Sequence, residues 1–459
     1  MVSFIKSVHG TAALAVAALA PSSLKIEDST SVQGVAKTIA AGAMSYYPGT
    51  AAAFADLPAP YYWWECGALM GAMLDYSHYT NDTTYDSIIT TALLAQAGPD
   101  FDLMVPAHYG DEGNDDQAFW SFAILSAAER NWPQPDSAIP SWLEIGENAW
   151  NSLASRWNTT NCGGGLLWQI FASNPNGLTY KNSVSNGGFF QISARLYRAT
   201  NNQTYLDWAN KIWDWSREVN FIDDRYNVYD GAGVGDDCKE TNPVSFSYSA
   251  GIYLYGAAIM ANVTNGTDSA DWVERTKGLL DASKSFFSPF SNATNIMYEH
   301  ACEQVDSCNT DMKSFKGYLS RFMWAATQMV PEIVPSVQAL LNPSARAAAD
   351  ACSGGSKGTS CGQKWYVGGY DNVTGLGQEM SALETVHGIL VPYATPPFKA
   401  GEIKNVRSSS PPTASVSPVP FPTSTPTPTK RSNEAGVLGV DLTWVGLSLL
   451  TGVFVWGLI

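Results

Sequence analysis

Apolar residues in the middle of the chain recur at helical spacing and fall into pairs of helices joined by short polar turns. The clearest pair runs from Gly187 to Trp215, with a turn at residues 200–202 between its two helices. The second helix of this pair carries four large apolar side chains on one face: Tyr205, Trp208, Ile212 and Trp215. Residues 67–94 repeat the arrangement with a similar turn of Tyr, Thr, Asn and Asp. The pattern therefore indicates stacked antiparallel helical hairpins.

The spacing predicts twelve helices, at Val32–Tyr46, Glu65–Tyr79, Thr84–Ala97, Asp116–Arg130, Ser141–Trp157, Gly187–Ala199, Thr204–Val219, Ser247–Ala261, Ala270–Phe286, Ser314–Gln328, Val334–Ala349 and Gln378–Val391. Alternating strand patterns are scarce, and only short stretches such as Leu166–Phe171 could pair. Twelve helices make six hairpins, which predicts an all-α fold closed into a six-hairpin toroid. An open solenoid is the alternative, because a count of helices does not establish closure.

The first residues resemble a secretory signal peptide. One cation, Lys6, precedes an apolar stretch from Thr11 to Ala20 that ends in small residues. We expect residues 1–20 to be removed, with the cleavage placed loosely between Ala17 and Ser23 because Pro21 is unfavourable next to a cut. A buried N-terminal helix is the alternative interpretation.

The other end of the chain has the pattern of a lipid-anchor signal. Ser408 to Thr429 contains almost only Ser, Thr, Pro and Val, which is typical of an extended, O-glycosylated stalk. A short polar spacer and an apolar end at residues 444–459 follow. This order fits glycosylphosphatidylinositol (GPI) attachment better than a membrane-spanning helix. We expect a stalk over residues 396–433, attachment at Asn433 with Ser432 as the alternative, and removal of residues 434–459.

Sequons and cysteines indicate the same secretory, oxidising compartment. Seven Asn-x-Ser/Thr sequons begin at Asn81, Asn158, Asn202, Asn262, Asn265, Asn292 and Asn372. The cysteines predict three disulfides, the first two local in sequence: Cys302–Cys308, Cys352–Cys361 and Cys162–Cys238. The third pairing leaves Cys66 free, because Cys66 lies in an apolar helical stretch where a thiol is ordinary core. We therefore expect a glycoprotein at the outer face of the plasma membrane.

Composition narrows the class of ligand. Charged residues make up 15% of the chain, whereas aromatic residues reach 12% and the net charge is −16. The deficit of Lys and Arg argues against a nucleic-acid partner, because nucleic-acid binding needs a basic surface. Many aromatic rings and few charges suit a neutral, hydroxylated ligand such as a sugar. The Cys and His residues show no zinc spacing, so we expect no metal and no cofactor.

Several loops that precede helices combine aromatic rings with amides and carboxylates, which is typical of sugar sites. In a closed toroid these loops would converge on one central cleft. The residues that we expect to bind substrate are Trp63, Trp64, Glu65, Asn114, Gln117, Trp120, Trp168, Gln169, Lys181, Asn186, Asp230 and Tyr298. For the aromatic residues, ordinary core packing is the alternative.

Asp115 and Asp116 are the pair that we expect to catalyse a reaction. Glycoside cleavage commonly uses two carboxyl groups, one that protonates the leaving oxygen and one that attacks or activates water. Neighbouring carboxylates repel each other, which separates their pKa values and allows one acid and one base. Adjacent side chains do not share a face within a helix, so the pair must lie at a helix entrance.

Two other interpretations of this acidic stretch stay open. Asp115 could simply cap the helix that continues through Gln117. Asp111, Glu112, Asp115 and Asp116 could hold a cation, although their spacing does not match the calcium-loop pattern. The five His residues show no visible pairing with a Ser nucleophile, which argues against a serine hydrolase.

Motifs in several of these loops resemble glycoside hydrolase family 76. They are Tyr-Tyr-Trp-Trp-Glu at 61–65, Gly-Asn-Asp-Asp-Gln-Ala-Phe-Trp at 113–120, Cys-Gly-Gly-Gly-Leu-Leu-Trp-Gln at 162–169, Tyr-Lys-Asn-Ser-Val-Ser-Asn-Gly at 180–187, Met-Tyr-Glu at 297–299 and Gly-Gln-Glu-Met-Ser-Ala-Leu-Glu at 377–384. Within that family the chain is most similar to the fungal GPI-anchored mannan endo-1,6-α-mannosidases of the Dcw/Dfg type. The resemblance implies an (α/α)6 barrel over residues 21–395 and a retaining mechanism on α-1,6-linked mannose. It also implies Asp115 as nucleophile and Asp116 as general acid/base.

The resemblance leaves the acceptor open. A hydrolase would release mannose oligomers from mannan, whereas a transglycosidase would cut the mannose core of a GPI glycan and pass the attached protein to wall glucan. We expect a monomer that cross-links proteins to the cell wall. A wall lectin or adhesin with the same aromatic cleft is the non-enzymatic alternative.

Overall fold

The computed structural model describes residues 16–48, 56–110, 112–135 and 138–404, and these residues contain twelve α-helices. They are α1 (Ser29–Met44), α2 (Trp63–Thr80), α3 (Asp86–Ala95), α4 (Asn114–Glu129), α5 (Trp142–Ser155), α6 (Ser183–Thr200), α7 (Gln203–Glu218), α8 (Ser247–Val263), α9 (Gly266–Ala282), α10 (Phe315–Met329), α11 (Val334–Ala351) and α12 (Leu376–His387). All twelve predicted helices are confirmed. Asp111, Asn433 and most of the predicted signal peptide and stalk lie outside the described residues.

The six even-numbered helices form a closed inner ring. Each packs on the next, from α2 through α4, α6, α8 and α10 to α12, and α12 packs on α2. The odd-numbered helices lie outside this ring, with α7 against α6, α9 against α8 and α1 against α12. The contact between α12 and α2 confirms the predicted (α/α)6 toroid and rules out the open solenoid.

Burial explains which helices lie inside. In α4 every side chain from Gln117 to Glu129 is buried, as is every one from Ser249 to Ala261 in α8. Helices without a polar face need neighbours on all sides. In α7, by contrast, the buried residues form one stripe that includes Tyr205, Ile212 and Trp213. An amphipathic helix of this kind is stable on the outside of the barrel.

The inner helices begin at the same end of the barrel. There the N–H of Leu376, at the start of α12, donates to the hydroxyl of Tyr61, just before α2, over 3.0 Å. The indole of Trp64, at the start of α2, donates to Asp311 in the turn before α10 over 3.1 Å. The loops that precede the inner helices therefore meet around one cleft.

A three-stranded antiparallel sheet that the sequence did not predict lies among these loops. β1 (Tyr180–Asn182) pairs with β2 (Gly231–Gly233), and β2 pairs with β3 (Thr241–Asn242). Strands of two or three residues are too short to show an alternating pattern. The stretch expected to pair, Leu166–Phe171, contributes a bridge between Gln169 and Gly113. The sheet matters because β1 leads directly into α6.

Helix α6 begins one turn earlier than predicted, at Ser183 rather than Gly187. Asn182 caps it, because its Oδ1 accepts a hydrogen bond from the N–H of Ser185 over 3.2 Å. Gly188 therefore lies inside the helix, where a Cβ would come within 2.7 Å of the Ala118 Cβ. The lack of a Cβ at Gly188 allows α6 to approach α4 closely.

Buried ion pairs join the inner helices at the opposite end of the barrel. Asp75 of α2 pairs with Arg321 of α10 over 2.7 Å and also with Arg130 after α4. Arg195 of α6 binds both carboxylate oxygens of Glu129 at 3.0 and 2.8 Å. Burial would raise the pKa of Asp75, but the guanidinium groups hold it down at about 2. These pairs tie the ring together away from the cleft.

The same network contains a group of potential metal ligands. Ligand atoms of Asp75, Glu384 and His387 lie within 4.8 Å of one another. However, Arg321 lies 3.7 Å from Glu384 as well as beside Asp75, and His387 lies 2.8 Å from Glu384. Because guanidinium groups already compensate these carboxylates, we interpret the group as part of the ion-pair network.

The three predicted disulfides, Cys162–Cys238, Cys302–Cys308 and Cys352–Cys361, are confirmed, and Cys66 is free and buried. Residues 396–404, which we expected to begin the stalk, pack on the barrel instead. The N–H of Phe398, for example, donates to the Glu129 carbonyl over 2.6 Å. The folded region therefore continues past residue 395. Within the described ranges, no helix combines the length and apolar character needed to cross a membrane.

Candidate active site

Asp115 and Asp116 lie in the first turn of α4, both partly exposed to the cleft. The N–H of Gly113 donates to Asp116 Oδ2 over 2.6 Å, and the N–H of Asp116 donates to Asp115 Oδ1 over 3.2 Å. A Cβ on Gly113 would lie 2.3 Å from Asp115 Oδ1 and 2.8 Å from Asp116 Oδ2. Glycine therefore lets both carboxylates fold over the helix entrance. Asp116 accepts a capping hydrogen bond and is also partly exposed to the cleft. The capping interpretation and a role at the cleft therefore do not exclude each other.

Asp115 lies in a partly desolvated position with one amide donor. The Nδ2 of Asn182 donates to Asp115 Oδ2 over 3.3 Å. Burial raises the pKa of Asp115 to about 7, against the opposing effect of the hydrogen bonds from Asn182 and from backbone N–H groups. The negative charge of Asp311 raises it further. The site therefore retains a proton close to neutral pH, as an acid/base pair requires.

Asp311 is a third carboxylate of the cleft that sequence reasoning missed. Its Oδ1 accepts the hydrogen bond from Trp64, whose ring packs on Phe119 with centroids 4.6 Å apart. Phe119 lies one helical turn after Asp115 on the same face of α4, so Trp64 and Asp311 lie beside the pair. Burial raises the pKa of Asp311 to about 6. Its partner Trp64 is 247 residues away, so no local motif marks it.

A fourth carboxylate, Asp230, lies at the start of β2. Its Oδ2 accepts hydrogen bonds from the Tyr180 hydroxyl over 2.7 Å and from Asn242 Nδ2 over 3.0 Å. Burial raises the pKa of Asp230 despite these donors. Tyr180 belongs to β1, Asn242 belongs to β3 and Asp230 immediately precedes β2, so the small sheet positions Asp230. Asp230 was predicted to bind substrate, and it remains partly exposed.

Tyr248, at the start of α8, is an aromatic residue of the cleft that sequence reasoning did not single out. Its ring stacks on Phe315 with centroids 3.8 Å apart and planes 3° apart. Burial raises the pKa of the Tyr248 hydroxyl, and the charges of Asp230, Asp115 and Asp311 raise it further. Tyr248 is therefore a protonated hydroxyl donor among three acids.

Eight of the twelve side chains predicted to bind substrate are at most 5% exposed: Trp63, Glu65, Asn114, Gln117, Trp120, Gln169, Lys181 and Asn186. Several of their polar groups bind protein. Arg156 donates to Asn114 Oδ1 over 2.7 Å and to Gln117 Oε1. Asn186 accepts from the N–H of Leu166 over 2.8 Å and donates to its carbonyl over 3.1 Å. In this structure these eight buried residues stabilise the cleft loops and are not exposed to the cleft.

Lys181 illustrates this support. Its buried ammonium donates to the carbonyls of Asn158 and Asn161 over 2.9 and 2.8 Å, and to that of Gly164. Burial lowers the pKa of Lys181 to about 8. Side chains alternate along a strand, so Lys181 and its neighbour Asn182 lie on opposite faces of β1. Lys181 binds the loop at residues 158–164 on one face, and Asn182 contacts Asp115 on the other.

The remaining predicted aromatic residues differ in position. Trp168 bridges two parts of the site through its backbone, because its N–H donates to the Tyr180 carbonyl over 2.8 Å and its carbonyl accepts from Asn114 over 2.9 Å. Its indole is 38% exposed, and Tyr62, before α2, is 43% exposed. Both offer an open ring to a ligand. Tyr298 is half-buried and packs near Tyr366, with centroids 6.4 Å apart.

Comparison with known proteins identifies the family of this chain. Residues 31–401 match the profile of glycosyl hydrolase family 76. Mannan endo-1,6-alpha-mannosidase DCW1 of Saccharomyces cerevisiae is 44% identical over 371 residues, which cover 79% of this chain and 80% of that protein. Mannan endo-1,6-alpha-mannosidase DFG5 of the same yeast is 37% identical over 432 residues, covering 93% of this chain and 92% of that protein.

Solved structures agree with the fold. Dfg5 from Chaetomium thermophilum, crystallised with glucosamine, superposes with a TM-score of 0.77 at 38% identity, covering 82% of this chain and 94% of that one. The GH76A α-1,6-mannanase from Salegentibacter sp. HEL1_6 superposes with a TM-score of 0.61 at 17% identity, covering 78% and 98%. The second likeness concerns the barrel alone. On its sequence match and its close relatives, the chain belongs to glycoside hydrolase family 76.

Proposed function

We propose that this protein is a retaining, endo-acting mannosidase that cleaves α-1,6-linked mannose. Asp115 is the proposed nucleophile and Asp116 the general acid/base. The observation that carries the proposal is the pair of adjacent carboxyl groups at the entrance of α4, held by Gly113 and Asn182 in an aromatic-lined cleft. The relatives named mannan endo-1,6-alpha-mannosidase support the choice of substrate.

The proposed reaction has two steps. In the first, an oxygen of Asp115 bonds to the anomeric carbon while the glycosidic bond breaks, and Asp116 gives its proton to the leaving oxygen. In the second, Asp116 takes a proton from an incoming hydroxyl, whose oxygen displaces Asp115 from the sugar. The raised pKa of Asp115 supports a pair that shares one proton before substrate binds. The Asn182 amide would stabilise Asp115 whenever it carries charge.

We propose transfer to a sugar hydroxyl as the physiological outcome, with the mannose core of a GPI glycan as donor and wall glucan as acceptor. The acidity of the cleft supports a donor with an amine near the mannose, because Asp230 and Asp311 add two carboxyl groups to the catalytic pair. A relative, Dfg5 of Chaetomium thermophilum, was crystallised with glucosamine. An ammonium group beside Asp311 would form a charge-assisted hydrogen bond.

We also propose that the protein is secreted and anchored at the outer face of the plasma membrane, next to the cell wall. The apolar start of the chain, the Ser/Thr/Pro-rich segment and the attachment signal around Asn433 support this location. The three disulfides support an oxidising compartment.

The test uses an α-1,6-linked mannan oligosaccharide, alone and with a glucan oligosaccharide as acceptor, and detects products by mass spectrometry. Asp115→Asn and Asp116→Asn should lower turnover by roughly 1,000-fold or more. Calorimetry should show that both variants still bind the sugar. Asp207→Asn, at an exposed position on α7, is the matched control and should keep full activity.

Each part of the proposal has its own contrary result. Full turnover by Asp115→Asn would refute the catalytic assignment. Sugar binding by the unmodified protein without any turnover would favour the wall lectin. Efficient hydrolysis of mannan, with no product joined to glucan or to another glycan acceptor, would refute transfer and leave the mannosidase intact.

A further inference from the structure

An exposed apolar cluster lies on loops at the cleft end of the barrel. It consists of Phe290, Val305, Tyr366 and Val367, and we call it the Phe290 patch. Phe290 is 50% exposed, Val305 72% and Val367 52%. The Phe290 ring meets Tyr366 nearly edge to face, with centroids 5.5 Å apart, and the Tyr366 hydroxyl donates to the Glu303 carbonyl over 3.4 Å. Exposed apolar side chains grouped on neighbouring loops mark a surface that a ligand or a modification can cover.

A sequon lies beside the patch. Asn292 begins Asn-Ala-Thr and follows Phe290 by two residues. The N–H of Ala293 donates to the Phe290 carbonyl over 2.9 Å, so residues 290–293 form a β-turn with Phe290 first and Asn292 third. Asn292 is exposed. The Cα atoms of Phe290 and Asn292 are separated by at most two steps of about 3.8 Å each. A sugar on Asn292 Nδ2 would therefore begin close to the Phe290 ring.

We propose that Asn292 carries an N-linked glycan whose first N-acetylglucosamine lies on the Phe290 ring and covers the Phe290 patch. The C–H groups on one face of a pyranose are slightly positive, and the face of an aromatic ring is negative, so the two attract. The sugar also removes apolar surface from water. The inference rests on secretion, one part of the proposed function, and not on the bond that the cleft cleaves.

The attachment requires a donor of the lipid-linked oligosaccharide class, in which a diphosphate joins the glycan to the lipid. Asn292 Nδ2 forms a bond to C1 of the terminal N-acetylglucosamine, and the bond from C1 to the diphosphate oxygen breaks. The lipid diphosphate leaves with the electron pair, and the amide loses one proton. Thr294 completes the acceptor pattern.

Other sequons provide contrasts. Asn265 is exposed at the start of α9, but the residue two positions before it is Val263, which offers no ring. The amide of Asn262 is already engaged, since its Oδ1 accepts from Arg198 over 3.2 Å and its Nδ2 donates to the Met329 carbonyl over 3.5 Å. Asn265 is therefore the matched control for a glycan without an aromatic neighbour.

The experiment uses the full chain secreted from a eukaryotic host, with glycopeptide mass spectrometry for occupancy and calorimetry for Tm. Asn292 should be occupied, and Asn292→Gln should lower Tm by about 1–3 °C, the shift expected from one aromatic contact in a large domain. Asn265→Gln should leave Tm unchanged. Thr294→Ala, which removes the sequon but keeps Asn292, should repeat the effect of Asn292→Gln.

Two further comparisons address the contact itself. In a Phe290→Ala background, Asn292→Gln should cause no further loss of Tm. Enzymatic trimming of every glycan to a single N-acetylglucosamine should leave Tm equal to that of the fully glycosylated parent protein. An empty Asn292 in a chain whose other sequons are occupied, or equal Tm losses with and without Phe290, would overturn the inference. Absence of glycan at every sequon would refute both this inference and secretion.

Discussion

Asn182 holds Asp115 with one end of its amide and caps α6 with the other. Its Nδ2 donates to Asp115 Oδ2 over 3.3 Å, and its Oδ1 accepts from the N–H of Ser185 over 3.2 Å. Because the Oδ1 of Asn182 is held by the N–H of Ser185, its Nδ2 is the atom that faces Asp115, and it is a donor. The local structure of α6 thereby controls the charge environment of the proposed nucleophile.

Asn182→Asp should move the acidic limb of the pH–activity profile to higher pH. The variant keeps an acceptor for the cap but replaces the donor to Asp115 with a like charge, which raises the pKa of Asp115. We expect kcat/KM at pH 6 to fall by about 10-fold or more, which corresponds to a pKa change of one unit. The measurement is kcat/KM against pH on an α-1,6-linked mannan oligosaccharide.

The control for this change is Asn202→Asp in protein made without glycans. Asn202 caps α7 in the same way, accepting from the N–H of Thr204 over 3.1 Å, but α7 lies outside the inner ring. The control should keep the original profile. An acidic limb that does not move in Asn182→Asp would contradict the role given to the amide.

Asp311→Asn should have the opposite effect on the acidic limb. The asparagine can still accept the hydrogen bond from Trp64, but it removes a negative charge that raises the pKa of Asp115. The pKa of Asp115 should therefore fall, and activity should extend to lower pH. Calorimetric binding of glucosamine provides a second measurement, because the proposed ammonium partner is lost. Unchanged pH dependence together with unchanged glucosamine binding would remove Asp311 from the site.

Lys181→Met should destabilise the protein rather than merely weaken substrate binding. Three carbonyls of the loop at 158–164, of which that of Gly164 is buried, would lose their donor, and we expect the free energy of unfolding to fall by roughly 2–4 kcal/mol. Lys181→Arg, which keeps charge and donors, should recover part of the loss. Denaturant unfolding measures the effect. A variant as stable as the parent, with only KM raised, would instead show that Lys181 contacts substrate.

The folded state should be more stable in mild acid than in mild alkali. Burial raises the pKa of Glu299 to about 8 and that of Glu379 to about 7. In an unfolded chain both groups would titrate near 4.3. The folded protein therefore binds more protons between about pH 4.5 and 8, and the free energy of unfolding falls as the pH rises through this window. The measurement is Tm at pH 5 and pH 8.

Glu299→Gln isolates one contributor to that dependence. Its amide imitates the protonated acid beside Ser247, so the decline in stability should flatten by at most about 1.4 kcal/mol per pH unit. Glu332→Gln, at a half-exposed carboxylate paired with Lys277, is the control and should leave the slope unchanged. Identical slopes in both variants would show that Glu299 is ionised in the folded protein.

The helices could be predicted because their apolar spacing is a local property of the chain. α4 was expected at Asp116–Arg130 and is found at Asn114–Glu129. Boundaries were less accurate where capping decides them. α9 starts at Gly266 rather than Ala270, because its first turn is polar, and it ends at Ala282, where the chain tightens into a short turn over residues 283–286.

The candidate site could be predicted only in part. Asp115 and Asp116 form a motif by themselves, whereas Asp311 joins them through Trp64, far away in the sequence. Whether a polar or aromatic residue faces the cleft also depends on packing between distant segments. Lys181 and Trp120 looked like ligands of a sugar and are fully buried. The sequence identifies which residues gather near the cleft, but not which side of the loop each side chain occupies.

The closed ring also sets an order for folding. Because α1 and α2 pack against α12, the first helices of the chain obtain their final neighbours only after the last helix has been synthesised. Until then their apolar faces stay open and depend on protection from aggregation. A chain interrupted before Leu376 would lack α12 and therefore one wall of the ring. The closed barrel and its cleft can therefore form only in a chain that has been translated through α12.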